Sequence, residues 1–200
     1  MKIYAFDNKI LALNNKWLTE PSVPPDEVTI GTQTWKISNL DIDDGLDGIV
    51  TVYGNVYYTQ PAAIRVAATV DGWHLPTQSE ISTLLSYVGN ARKLASTTGW
   101  LDGQQGTDDY GFNALPLGYY YTDRQRVSDA GYAAKFWTST YEQQQIGPDD
   151  YRFTRLSLYI AYNYDYDYWV GVTHYNDEES YEGTVMYPAP LGSVRLIKDT

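Results

Sequence analysis

Between Tyr141 and Tyr187 the chain concentrates side chains that bind rather than react. Tyr151, Tyr159, Tyr162, Tyr164, Tyr166, Tyr168, Tyr175 and Tyr181 are mixed with Asn163, Asp165, Asp167, Asn176 and Asp177. The centre reads Tyr162-Asn163-Tyr164-Asp165-Tyr166-Asp167-Tyr168-Trp169. Tyrosine offers a large contact area, few rotors to freeze and one hydroxyl, and Asn and Asp add short adaptable polar groups. This is the composition of a paratope. The candidate ligand-binding residues are Tyr141, Tyr151, Tyr159, Tyr162, Asn163, Tyr164, Asp165, Tyr166, Asp167, Tyr168, Trp169, His174, Tyr175, Asn176, Asp177 and Tyr181.

Other chemistry is weakly encoded. Asp149-Asp150 and Glu178-Glu179 are paired carboxylates, but neighbours on an extended chain point to opposite faces, which does not suit a glycosidase pair. The chain has no cysteine and two histidines, so it lacks a disulfide frame, a thiolate nucleophile and a His-rich metal site. His74 reads as a structural histidine with its partners satisfied. Asp41-Ile42-Asp43-Asp44-Gly45-Leu46-Asp47-Gly48 is acidic, but Gly45 stands where a calcium loop needs a ligand and no helices flank it. A solvated turn is the better reading. There is no Gly-x-Ser-x-Gly or Walker pattern. We expect no enzymatic activity, no cofactor and no metal.

The net charge of -11 argues against nucleic acid and anionic membrane surfaces as partners. No apolar run approaches the roughly 20 residues that span a bilayer. The opening Met1-Lys2-Ile3-Tyr4-Ala5-Phe6-Asp7 lacks the apolar core and cleavage site of a secretory signal, so cytoplasmic synthesis is expected if this is the natural start.

The elements that must position the tyrosines begin with residues 1–20. Two apolar runs there flank a turn at Asp7-Asn8-Lys9, and Pro21, Pro24 and Pro25 then form a stiff linker. Such a hairpin either folds back on the domain or docks on another copy or a larger assembly. Residues 1–27 are assigned to this arm and linker, and 28–200 to one domain. Val28 to Trp35 reads as strand, turn, strand. Thr59 caps a short helix to about Ala68, with Pro61 in its first turn. Thr77-Gln78-Ser79-Glu80 is a capping box, Ile81, Leu84, Leu85 and Val88 form one apolar stripe, and Gly89 ends that helix. Trp100 to Gly118 reads as a long ordered loop with Trp100, Phe112, Leu115 and Leu117 inside. Strand-like runs follow at 119–122, 135–140, 152–160, 166–173 and 193–198. The fold class is α+β: two helices packed on short antiparallel strands, with a long loop region.

Leu156, Leu158 and Ile160 share parity with Tyr162, Tyr164, Tyr166 and Tyr168, so one unbroken strand would put these tyrosines in the core. That strand would run to about 17 residues, beyond the usual range of roughly 3–10. A break is expected near Ala161 to Asp165, with most of the tyrosines at the surface.

Several blocks carry a family resemblance: Val28-Thr29-Ile30-Gly31-Thr32-Gln33-Thr34-Trp35 with Asn39-Leu40; Gly72-Trp73-His74-Leu75-Pro76-Thr77 with Glu80; Thr97-Thr98-Gly99-Trp100; Gly106-Thr107-Asp108-Asp109-Tyr110-Gly111-Phe112-Asn113-Ala114-Leu115-Pro116; Phe136-Trp137-Thr138-Ser139-Thr140; and Ser193-Val194-Arg195-Leu196-Ile197-Lys198-Asp199. In this order they resemble the Fibrobacter succinogenes major paralogous domain family (FISUMP) over about residues 28–199. The resemblance implies a C-type-lectin-like fold with the terminal strands paired near its base and a long loop region at the far end. It also places the chain near the variable proteins of diversity-generating retroelements, which mutate adenines. An Asn codon so altered reaches Tyr, Asp, His, Ser, Thr or Ile but not Trp, Glu, Gln, Lys or Met. Tyr162 to Tyr168 and His174 to Asp177 are all reachable; Trp169, Glu178 and Glu179 are not. The calcium-dependent sugar motifs Glu-Pro-Asn and Trp-Asn-Asp of C-type lectins are absent, and so are the cysteines of formylglycine-generating relatives.

The resemblance therefore implies a retroelement-diversified receptor-binding (host-adhesion) protein of a phage tail, with a variable region at about 137–191. Its expected partner is a protein or glycan on a bacterial cell surface. Residues 1–20 would hold it to other virion proteins or to copies of itself. The alternatives are a bacterial cell-surface adhesin domain and, from another class, a structural decoration domain or an enzyme on the same fold.

Overall fold

The computed structural model describes residues 4–6, 9–12, 26–101, 103–145, 151–163, 168–172, 175–177 and 190–200. For residues 4–6, 9–12, 143–144, 151–153, 163, 168, 170, 172 and 175–177 only the backbone is described. Strands β1 (Tyr4–Phe6) and β2 (Lys9–Ala12) pair antiparallel, with Phe6 opposite Lys9. Strands β3 (Glu27–Ile30) and β4 (Gln33–Lys36) form a second antiparallel pair around Gly31, whose φ of 63° suits glycine. Strands β5 (Ile49–Val52) and β6 (Asn55–Tyr58) form a hairpin on the two-residue turn Tyr53-Gly54, which the sequence reading missed.

Helix α1 (Gln60–Ala67) starts at Thr59, whose side chain accepts from the Ala62 N–H, and Pro61 occupies its first turn. Strand β7 (Trp73–His74) precedes helix α2 (Gln78–Val88). In α2 the Thr77 hydroxyl takes the Glu80 N–H while the Glu80 carboxylate takes the Thr77 N–H, completing the expected capping box. Gly89 closes the helix at φ 70°, donating to the Leu85 carbonyl. A 3-10 turn follows at Ala91–Lys93. The chain then runs without regular structure to 118 among the described residues. It is tied down by the Gly106 N–H on Ser96 O and the Ala114 N–H on Leu94 O. A Cβ at Gly106 would stand 1.9 Å from the Ala95 carbonyl oxygen, so no larger residue fits there.

Strands β8 (Tyr119–Tyr121) and β9 (Arg126–Ser128) form another hairpin. Then come β10 (Ala133–Gln145), β11 (Tyr151–Asn163), β12 (Tyr168–Val172), β13 (Tyr175–Asp177) and β14 (Ile197–Lys198). The protein is thus α+β, with two helices and several small antiparallel sheets. Two strands are longer than expected, at 13 residues each.

The β10–β11–β12 sheet is covered on both faces. Alternate residues of β10 diverge, with Ala134 and Phe136 joining one apolar cluster and Trp137 the other. The first cluster gathers Ile81, Leu84 and Val88 of α2 with Leu158, Ile160, Trp35 and Phe112. The second gathers Ala62, Ala63 and Val66 of α1 with Tyr58, Leu75, Val194 and Leu196. Each fully buried large side chain here contributes about 1.5–3 kcal/mol. Strand β14 ties the ends of the domain, with Ile197 opposite Trp35 on β4 and opposite His74 on β7.

Arg195, 2% exposed, is the polar centre of this frame. Its guanidinium donates twice to Asn39 Oδ1, at 3.2 and 2.6 Å, and also to the carbonyls of Lys36, Phe112 and Asn113. It lies over the Phe112 and Phe136 rings at 4.7 and 5.2 Å. Burial lowers its pKa to about 9, with Asp108 acting against that shift, so it stays charged at neutral pH.

Candidate binding surface

A bulge positions the tyrosine-bearing strands. Trp137 pairs with Ser157 and Tyr141 with Arg155, so residues 138–140 of β10 face residue 156 of β11 alone. Both helices grip the bulge at their starts. Gln60 on α1 donates to the carbonyls of Thr138 and Thr140, at 2.8 and 2.9 Å. The Gln78 N–H on α2 donates to the Thr140 hydroxyl, and the Ser139 N–H to Pro76 O. Beyond the bulge, β11 takes β10 on one edge and β13 on the other. Register then puts Tyr141, Arg155 and Tyr175 in one cross-strand row.

The other end of β11 pairs with β12, Tyr162 opposite Trp169 and Asn163 opposite Tyr168. The strand ends at Asn163, inside the window where a break was expected. This pairing reverses the parity argument, because Trp169 takes the core position opposite Tyr162 and Tyr168 takes the alternate one. The described candidates at the two ends of β11 therefore fall into two groups rather than one patch. Tyr175 stands opposite Arg155 and Tyr168 opposite Asn163. The eight steps of β11 between these rows span about 26 Å at about 3.3 Å each.

Four of the candidate side chains are described. Tyr141 is exposed. Tyr162 is half-buried against the α2 cluster. Tyr159 is half-buried, and its hydroxyl lies 3.4 Å from Asp129 Oδ2. Burial, and after it the Asp129 charge, pushes this phenol up to about 12. Trp169 corrects the sequence reading. It is 9% exposed and belongs to the α2 cluster, with its ring 4.7 Å from Trp100 and 6.1 Å from Tyr162. Edge-to-face packing of this kind makes it a core residue, not a ligand anchor. Tyr151, Asn163, Tyr168, Tyr175, Asn176 and Asp177 are placed by backbone only. Tyr164, Asp165, Tyr166, Asp167, His174 and Tyr181 lie outside the described residues.

The strand expected at 119–122 is β8, but sequence reasoning missed its partner β9 and so the hairpin beside Tyr159. Tyr119 donates to Asp129 Oδ2 at 2.7 Å, its ring stacks edge-on with Tyr121 at 5.4 Å, and Arg124 lies over Tyr121 at 4.9 Å. The run Tyr119-Tyr120-Tyr121 ahead of the polar Asp123-Arg124 was the available signal.

His74 is held by both ring nitrogens, Nδ1 2.6 Å from Asp199 and Nε2 2.9 Å from Glu80. The acidic stretch closes on itself. Asp43 and Asp44 accept the N–H groups of Gly45 and Leu46, and Arg65 clamps Asp44 at 2.8 and 3.1 Å. The Arg65 hydrogen bond holds the Asp44 carboxyl below its ordinary pKa.

The frame is thus an α+β domain in which Asn39, Phe112, Asn113 and Phe136, from separate signature blocks, meet around Arg195. Residues 28–198 match the Fibrobacter succinogenes major domain, and the chain belongs to that family. No curated protein and no solved structure matches it.

Proposed function

We propose that this chain is a non-enzymatic ligand-binding display protein with a C-type-lectin-like fold, carried on a phage tail. It contacts a protein or glycan on the host cell surface, and a retroelement diversifies its contact residues. The arm of residues 1–20 joins it to other virion proteins or to its own copies, and several copies supply avidity. The observation that carries this reading is the sheet extension past the helix-gripped bulge. Tyr141 is exposed there, in one cross-strand row with Arg155 and Tyr175. A rigid frame holding an exposed tyrosine suits a paratope, where a few aromatic anchors dominate affinity. The separate rows on β11 divide the proposal into a Tyr141–Tyr175 contact and a Tyr168 contact, to which Tyr164 and Tyr166 are joined by sequence alone.

The test compares binding to whole host cells for Tyr141→Ala, Tyr175→Ala, Tyr164→Ala and Tyr166→Ala. At least one group loses about thirtyfold in affinity, about 2 kcal/mol, while Asp43→Ala binds like the parent. Binding unchanged in all four tyrosine variants would sink the assignment. A near-copy of the DNA encoding residues 137–191, differing almost only at adenines, is expected beside the gene. Its absence would remove the retroelement and leave a bacterial surface adhesin as the next reading.

A further inference from the structure

Away from the tyrosine strands, three distant stretches and the β5–β6 turn enclose a cleft of about 250 Å³. Leu40, Leu115 and Leu117 form apolar parts of its lining, and Asn39, Asp41, Asn55 and Asn113 contribute polar groups. Leu115 and Leu117 were expected in the core; both are half-buried and line this cleft instead.

The cleft is built rather than incidental. The Tyr57 hydroxyl holds Leu117 O at 2.9 Å, and the Tyr58 hydroxyl holds Leu40 O at 3.2 Å and Ile42 O at 2.9 Å. Arg195 also lines it, but its N–H groups go to Asn39 and to three backbone carbonyls, which leaves none for an anion. By occupying Asn39 Oδ1, Arg195 fixes that carboxamide and leaves its NH2 unpaired. Among the described residues, the side chains of Asn55, Asn113 and Asp41 also make no hydrogen bond or ion pair.

A second feature adjoins the lining in sequence. Tyr53 directly precedes Gly54 and Asn55, is 94% exposed and has a φ of 50°. A two-residue hairpin turn with both φ values positive favours Asn, Asp or Gly at that position. A bulky residue there is strained, and nothing in the frame packs on the ring to compensate.

We infer that this cleft is a fixed subsite for a neutral saccharide, with one pyranose ring among Asn39, Asn55, Asn113 and Asp41 and the next ring on Tyr53. The carboxamides of Asn55 and Asn113 each offer donors and an acceptor at the spacing of vicinal hydroxyls, the Asn39 NH2 adds donors alone, and the leucines suit the C–H face of a sugar. The Asp41 carboxylate and the net charge of -11 disfavour acidic sugars and phosphates. The subsite uses no residue of 137–191, so it stands independently of the display reading.

The test is an NMR titration of the 15N-labelled full chain with methyl glucoside, methyl galactoside, N-acetylglucosamine and cellobiose. Side-chain amide signals of Asn39, Asn55 and Asn113 shift with at least one of these neutral sugars, at a Kd of about 1 mM. Tyr53→Asn, which suits the turn and keeps the fold, weakens the disaccharide about tenfold but not the monosaccharide. Asn55→Ala removes the shifts. Glucuronate binds at least about tenfold more weakly than the glucoside, and Asp41→Asn narrows that gap. The inference is overturned by an absence of shifts at about 50 mM of every neutral sugar. Equal shifts from a blocked dipeptide, or Asn55→Ala behaving like the parent, also overturn it.

Discussion

Around Arg195 each donor goes to a protein acceptor, while at the outer end of β10 Tyr141 faces solvent. The two regions are fastened in different ways. In the frame, a buried cation fastens Asn39, Lys36, Phe112 and Asn113, which are distant in sequence, so identity at 195 is fixed by geometry. On the sheet extension, the backbone ladder supplies the fastening. Under the proposed reading, such a division lets one fold tolerate changes at the proposed contact surface, because the frame is held together elsewhere.

The comparison breaks first at Arg195. Arg195→Met leaves four acceptors without their donor and is expected to cost about 3–5 kcal/mol in denaturant unfolding. Arg195→Lys should fare little better, because an ammonium cannot copy a planar fork. A loss below about 1 kcal/mol would show that the signature blocks are held by something else.

Trp169 sharpens the boundary between the two regions. It sits only one residue from Tyr168, yet packs on Trp100 and Tyr162. Trp169→Ala should destabilise the domain by about 3–5 kcal/mol. Binding, measured on the folded fraction at low temperature, should be unchanged. A binding loss in a variant of parental stability would return Trp169 to the contact surface.

The frame was readable because its signals are local. The Thr77–Glu80 capping box, the Ile81–Val88 stripe and Gly89 act within one helix, and the structure has them as expected. The tyrosine strand was harder to read. Its parity up to Ile160 is a strand signal, but the register after Asn163 depends on pairing with a later strand. That register moved Trp169 into the core and carried Tyr175 to the far end of β11. The β5–β6 hairpin was missed because its turn carries Tyr53 instead of a turn-forming residue. The cleft was not readable either, since Asn39, Asn55, Asn113 and Arg195 meet only through tertiary packing.

On the sheet extension the stability effect should nearly vanish while the binding effect stays large. Tyr141→Ala should change unfolding by less than about 0.5 kcal/mol, as exposed substitutions do. If the Tyr141–Tyr175 row is the contact, the same variant weakens cell binding by about 2 kcal/mol. Stability and binding falling together would mean that the extension belongs to the frame.

The smallest expected effect concerns His74, which joins the end of the chain to the start of α2. Burial disfavours its charge, but the hydrogen bonds to Asp199 and Glu80 outweigh that and raise its pKa. Burial likewise pushes Glu80 up, but its bonds from Thr77 and His74 bring the net shift below the ordinary 4.5. A histidine whose folded pKa is raised contributes stability that is full below its unfolded value, about 6.5, and is lost as pH rises through the folded value. A carboxylate whose folded pKa is lowered contributes stability that is full above 4.5 and lost as pH falls through the folded value. Both contributions are therefore complete between about pH 4.5 and 6.5. The His74 side chain is 38% exposed, so solvent screening keeps its contribution below about 1 kcal/mol. Denaturant unfolding of the parent and of His74→Gln across pH 5 to about 9 reads the difference directly. The parent should lose stability above neutral pH relative to its value near 6, and His74→Gln should be flatter over that range. Equal pH profiles would mean that the two carboxylates hold a neutral ring and that the end of the chain is fastened by the β14 ladder alone.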